Sequence, residues 1–262
     1  KELNTNVSIS LGVHSGDHAI YPDCRPEFYK SLNLAFELGN WDAENVKLDL
    51  PYIEGDKESI LLDAIISCSE LDLDFDTIFA NTNTSYDPDN DGRSSGKTGS
   101  DIERILAFHA IGRKDPVEYQ EDWSDVLSHA LSIEAEYMDK IYREKLTEIQ
   151  YQVTRNDATE RAFSGIYDKH FEPGNYHCIC CNHLLFKSTG KYNSGCGWPA
   201  FHTEDINANI TRINDYSHGM TRVEVRCSKC DAHLGHVFED GPLQHGGERY
   251  CINSAALEFK EE

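Results

Sequence analysis

The chain has 262 residues, 39% of them apolar and 10% aromatic, which is enough for real cores and too much for a disordered chain. Its 46 acidic and 24 basic side chains give a net charge of −22, which argues against nucleic acid as a partner because phosphate binding needs clustered Lys and Arg. No apolar run approaches the ~20 residues of a membrane span and no secretory leader opens the sequence, so a cytoplasmic, reducing setting without membrane attachment is expected.

Taken in chain order, Val7 to Val13 (VSISLGV) reads as a buried-type strand. A chain opening on Lys1, almost directly before such a strand, reads as truncated at its N-terminus. A loop rich in Gly, Pro, His and Asp follows, and then Glu27 to Leu38 with apolar residues at helical spacing. Val46 to Leu50 reads as a second short strand, and Lys57 to Cys68 as an amphipathic helix. That strand–helix–strand–helix order implies a parallel sheet covered by helices. Asn81 to Ser100 is a long polar loop; Asp101 to Ile111 and Asp122 to Leu146 read as helices.

Two partial motifs sit in that loop. Gly92 to Thr98 (GRSSGKT) has three residues between its glycines where a phosphate loop has four, and no apolar strand precedes it. Asp87, Asp89 and Asp91 have calcium-loop spacing, but the twelfth position is Thr98 where that loop needs a bidentate Glu. Both read as solvated turns.

Charge and cysteine divide the chain before Met138. Residues 1–137 hold 10 basic and 28 acidic side chains, and residues 138–262 hold 14 and 18. Only Cys24 and Cys68 of the nine cysteines precede the division. Two domains are therefore expected, at 1–137 and 138–262.

The stretch LGVHSGDHAIYPDCRPEFYKSLNLAF (residues 11–36), with Asp56-Lys57 and Ile102-Glu103-Arg104, resembles the C-terminal half of the 7-cyano-7-deazaguanine synthases, which build a queuosine precursor with ATP. The resemblance covers roughly residues 3–125. It implies a partial α/β, parallel-sheet domain of the nucleotide alpha-hydrolase type. Two departures accompany it. The family's Ser-Gly-Gly-x-Asp-Ser pyrophosphate loop is absent, and at the positions of its four zinc cysteines stand Ser85, Ser95, Thr98 and Asp101. Hydroxyls do not replace thiolates on zinc, so a degenerate, metal-free domain is expected.

In the second half, Cys178-Ile-Cys-Cys181 and Cys227-Ser-Lys-Cys230 form two Cys-x-x-Cys pairs, which suit one tetrahedral zinc. Structural disulfides are the alternative. Cys180 has no assigned role. Cys196 and Cys251 stand apart in short polar, Gly-containing contexts, with Arg249 and Asn253 flanking Cys251 and Trp198 near Cys196. Two isolated thiols beside a structural zinc suggest an attacking and a resolving cysteine; two packing cysteines are the alternative.

Residues 138–259 resemble the methionine-R-sulfoxide reductases of the B type. The segments YHCICCNHLLF, SGCGWPAF, SHGMTRVEVRCSKCDAHLGHVFEDGP and RYCINSAALEF carry the likeness. It implies a mainly-β domain of two antiparallel sheets with short helices at its N-terminal end, so the whole chain is α+β. It also implies roles: Cys251 catalytic, Cys196 resolving, His233 and His236 hydrogen-bonding or acid groups, and Trp198, Asn253 and Arg249 in the substrate pocket. Cys178, Cys181, Cys227 and Cys230 would bind one structural zinc. The implied activity is repair of oxidised protein methionine, with thioredoxin as reductant.

Two rival readings remain. One is a zinc-knuckle module that recognises peptides without chemistry, which would not need Cys196 and Cys251. The other is activity from the N-terminal half on a purine-like base, against which the missing pyrophosphate loop counts. Taken singly, His233, Trp198 and Asn253 also read as a zinc-proximal histidine, a core tryptophan and a turn cap.

Overall fold

In a computed structural model the described residues are 7–17, 21–41, 43–205, 208 and 210–261. The side chains of Asp17, Glu44 and His218 lie outside that description. The chain divides into two compact units, Lys1–Glu136 and Tyr137–Glu262.

In the first unit, β1 (Val7–Ser10) pairs in parallel with β2 (Val46–Asp49), Ile9 opposite Leu48. The α1 helix (Pro26–Gly39) lies between them in sequence, as the right-to-parallel connection requires. The strand expected over residues 7–13 ends at Ser10, and it is exposed along its length rather than buried. A two-stranded sheet covers little of its own surface, so alternating apolar residues there do not guarantee burial.

The α2 helix (Lys57–Glu70) starts on Asp56, whose carboxylate accepts from Ser59 N at 2.8 Å. A further helix, α3 (Phe75–Ala80), falls in a stretch with no element expected from the sequence. Six residues are too few to show a period, and Asp74 caps it by accepting from Thr77 N. α4 (Gly99–Ala110) follows the polar loop, and α5 (Trp123–Lys145) begins as expected. Leu61, Cys68, Phe75, Ala107 and Phe108 form one small core, and Ile105, Val126 and Ala130 another. Arg104 and Asp115, both buried, pair through two hydrogen bonds of 2.6 and 2.9 Å.

The polar loop explains both partial motifs. Asp89 accepts from the backbone of Asp91 and Arg93 and from the Arg93 guanidinium, so its carboxylate is spent on the turn. Thr98 is the N-cap of α4. The four positions matching zinc cysteines in the synthases do converge. Ser85 and Ser95 hydroxyls donate to Asp101 Oδ2 at 2.9 and 3.2 Å, and Thr98 N approaches the same oxygen at 3.3 Å. Asp101 is 1% exposed. One carboxylate and three hydroxyls do not offer the soft donor set of a structural zinc site, so a hydrogen-bonded carboxylate holds this corner.

In the second unit, α6 (Glu148–Arg155) follows a turn in which the Gln150 side chain accepts from Thr147 N. β3 (Gly174–Cys178), β4 (Leu184–Lys187), β5 (Lys191–Tyr192), β6 (Ala200–Phe201), β7 (Ile210–Asp215), β8 (Arg222–Cys227), β9 (His233–Phe238), β10 (Arg249–Ile252) and β11 (Leu257–Glu261) follow. They form an antiparallel six-stranded sheet in the order β5-β6-β10-β9-β8-β7 and a three-stranded sheet in the order β11-β3-β4. Between the sheets, Tyr176, Phe186, Phe201, Tyr250, Leu234 and Ile252 belong to a single buried cluster. Phe186 stacks on Phe201 with ring centres 4.3 Å apart.

Candidate active site and metal centre

The metal centre comes from two tight turns. β3 ends at Cys178 and β8 ends at Cys227, and in each turn a residue takes a positive φ, Asn182 at 61° and Asp231 at 55°. Asn182 N donates to Cys178 O and Asp231 N to Cys227 O, both at 2.8 Å. These turns bring the sulfurs of Cys178, Cys181, Cys227 and Cys230 within 4.8 Å of one another. Cys178 faces Cys230, and Cys181 faces Cys227, each pair at 3.6 Å. A tetrahedron with metal–sulfur bonds of about 2.3 Å has edges near 3.8 Å, so the four thiols suit one zinc. All four are thiols and not disulfides. Cys180, also buried, lends its carbonyl to Lys145 Nζ at 2.7 Å.

The second cluster sits on β9 and β10, the middle of the large sheet. Cys251 on β10 pairs across the strands with His236 on β9 and with Ala200 on β6. Cys196, on the loop before β6, places its sulfur 3.7 Å from that of Cys251. Close approach of β9 to β10 depends on Gly235 (φ 155°), where any Cβ would strike the Cys251 carbonyl.

The two thiols are tuned in opposite directions. Burial first, then the neighbouring Cys196, pushes the Cys251 thiol up to about 12, with Arg249 opposing. Burial also works against ionisation of Cys196. Even so, contacts from Ser194, Trp198, Cys251 and Arg249 outweigh it and bring that thiol below its usual range. The Ser194 hydroxyl reaches the Cys196 sulfur at 3.0 Å. Arg249 is aimed by a bidentate pair with Asp240, two bonds of 2.8 Å.

His236 Nε2 hydrogen-bonds Asp215 Oδ2 at 2.8 Å. Burial lowers its pKa although Asp215 favours the charged form, so at neutral pH the ring is poised mainly neutral. The His233 ring centre is 5.6 Å from that of His236. Trp198 donates Nε1–H to the Glu160 carbonyl at 3.1 Å, which fixes its plane. Asn253 is buried, and both ends of its amide are engaged: Nδ2 with Leu234 O and Oδ1 with Glu160 N, each at 3.0 Å. It ties β9 and the Glu160 loop to the strand carrying Cys251.

Glu160 supports the site though no motif marks it. Its carboxylate accepts from Ser254 N at 2.5 Å and Ala255 N at 3.0 Å, over 90 positions away in sequence. Asp215, Glu224 and Asp240 also carry no motif, and meet His236, His233 and Arg249 only when the strands pair. The available signal was charge inside strands, as in Val-Glu-Val-Arg at 223–226. His202 and His245 stack on each other with ring centres 4.0 Å apart.

Comparison with known proteins separates the two halves. Residues 146–261 match the SelR domain, and residues 2–112 match the queuosine biosynthesis protein QueC. The peptide methionine sulfoxide reductase MsrB of Burkholderia thailandensis is 55% identical over 122 residues, 47% of this chain and 85% of that protein. The chain belongs to the MsrB family. The MsrB of Cellvibrio japonicus is 48% identical over 132 residues, 50% of this chain and 94% of that protein. That of Hahella chejuensis is 54% identical over 121 residues, 46% of this chain and 86% of that protein. The MsrB-related half is the one in which thiols, histidines and a four-thiol site share a core. Among the described residues no helix is long and apolar enough to cross a membrane.

Proposed function

We propose that the chain is a peptide-methionine (R)-S-oxide reductase that repairs oxidised protein methionine. The observation that carries this reading is the Cys196–Cys251 pair at 3.7 Å, with His236 directly across from Cys251. A methionine sulfoxide offers an apolar methyl and a polar S=O. Trp198 supplies a flat apolar surface for the methyl, and Arg249 favours the Cys251 thiolate.

Cys251 loses its proton and attacks the sulfoxide sulfur. His236 or His233 delivers a proton to the oxygen as the S–O bond weakens. Methionine leaves, and the oxygen remains on Cys251 as a sulfenic acid. The Cys196 sulfur then attacks Cys251 and expels water, which leaves a disulfide. A protein dithiol of the thioredoxin class reopens it by exchange, itself becoming oxidised. Asn253 shapes this pocket through the strands it joins. Cys178, Cys181, Cys227 and Cys230 would hold a structural zinc, whose contribution is to fold the two turns.

The test is a reductase assay on R and S sulfoxide epimers with dithiothreitol and with thioredoxin. Turnover of the R epimer alone, lost in Cys251→Ser, is expected. Activity surviving that substitution would sink the mechanism.

A further inference from the structure

The large sheet carries one arrangement around His233 that this chemistry leaves unexplained. His233 is 2% exposed. Its Nδ1 lies 2.5 Å from Glu224 Oε1, while its Nε2 is buried without a protein partner. A carboxylate beside Nδ1 fixes the ring with hydrogen there and leaves Nε2 as the atom available to a ligand.

Glu224 does not hold that place alone. Arg226, two residues on along β8 and on the same face, sends Nη1 to Glu224 Oε1 at 2.7 Å and to Asp157 Oδ1 at 2.9 Å. Its other nitrogens reach the Asp231 carbonyl at 2.9 and 3.2 Å and the Asp231 carboxylate at 3.0 Å. Asp231 closes the turn of the second Cys-x-x-Cys knuckle through its bond to Cys227 O. One guanidinium therefore grips both the knuckle and the carboxylate that orients His233. Asp157, Glu224 and His233 lie close enough to hold a metal ion. However, Arg226 Nη1 already sits between the two carboxylates as their cation.

We infer that Glu224, clamped by Arg226, is the positioning residue for His233, and that through this clamp the fold of the metal-binding knuckle sets which ring nitrogen faces the sulfoxide. The first part stands on geometry alone. The role of Nε2 toward substrate rests on the reductase reading above.

The test uses the full chain with zinc, and the variants Glu224→Ala, Glu224→Gln and Arg226→Ala. Nitrogen-15 imidazole spectra should show His233 protonated at Nδ1 in the parent chain and in Glu224→Gln, whose amide oxygen can still accept. That preference should be lost in Glu224→Ala. With a methionine-R-sulfoxide substrate, Glu224→Ala should lower kcat about 10- to 100-fold with KM changed less than about threefold. Glu224→Gln should recover most of the rate, and Arg226→Ala should fall between the two. Zinc content and the alkylation rate of Cys251 should be unchanged in all three.

An unchanged kcat in Glu224→Ala, or a parent His233 protonated at Nε2 and not at Nδ1, overturns the inference. So does zinc loss in Glu224→Ala, which would make the effect one of folding. If the alanine variant does not fold, the glutamine variant decides, because a rate as low as a full knockout would assign Glu224 a role in charge and not in position. A parent chain inactive on every sulfoxide overturns the reductase reading and leaves the tautomer result to stand by itself.

Discussion

The two units of this chain carry motifs of similar specificity and differ in what their packing does with them. In the first unit the small cores around Phe108 and Ile105 leave much apolar surface outside: Leu38 is 80% exposed and Trp41 99%. In the second, Tyr176, Phe186, Phe201 and Tyr250 close one continuous core. Each unit draws four family-matching positions together in space. One set is four thiols; the other is two serines, a threonine and the buried carboxylate of Asp101. Four side chains brought together by the backbone thus serve different ends in the two units, because side-chain type decides what a site can do.

Substitutions at the two sites should separate the units, and the largest effect is expected at Cys251. Cys251→Ser should lower reductase turnover by about four orders of magnitude or more, measured on an R-sulfoxide peptide, because no other group supplies the nucleophile. Next comes Cys196→Ser. Thioredoxin-driven turnover should disappear while one equivalent of methionine per chain still forms in a single-turnover experiment. Chelation of the proposed zinc, or Cys227→Ser, should melt the second unit and leave the first unit's helical signal in place; joint loss of both would break the comparison.

A smaller effect is expected in the first unit. Asp101→Ala leaves Ser85 and Ser95 hydroxyls without their acceptor in a buried place, and should cost about 1–3 kcal/mol in denaturant unfolding of that unit, with reductase rates unchanged. The pH dependence sharpens the picture at Cys251. Its thiol is raised, so alkylation by a small haloacetamide should grow with pH about tenfold per unit between about pH 7 and 9. A rate flat over that range would mean that Cys251 is already ionised.

Much of this was legible in the sequence because the informative residues are near neighbours. Two Cys-x-x-Cys pairs, Arg-Tyr-Cys-Ile-Asn-Ser and Ser-Gly-Cys-Gly-Trp each name a local geometry, and the strand–helix order of the first unit named its parallel pairing. What escaped depends on long-range meetings. Glu160 is unremarkable until Ser254 folds over it, and Glu224 is one more acidic residue until β9 brings His233 beside it. The buried-type strand at residues 7–13 failed for the opposite reason: its pattern is local, whereas its burial depends on what covers the sheet.

The closeness of Cys196 and Cys251 has a consequence for survival under peroxide stress. Held protonated at rest, Cys251 is a slow target for small oxidants, and Cys196, the more easily ionised of the two, is the readier one. With 3.7 Å between their sulfurs, accidental oxidation of either thiol should lead to the same disulfide that the proposed repair reaction would leave. On the proposed mechanism, damage to the catalyst and completion of its work would converge on one product, and a single reductant would return both to service.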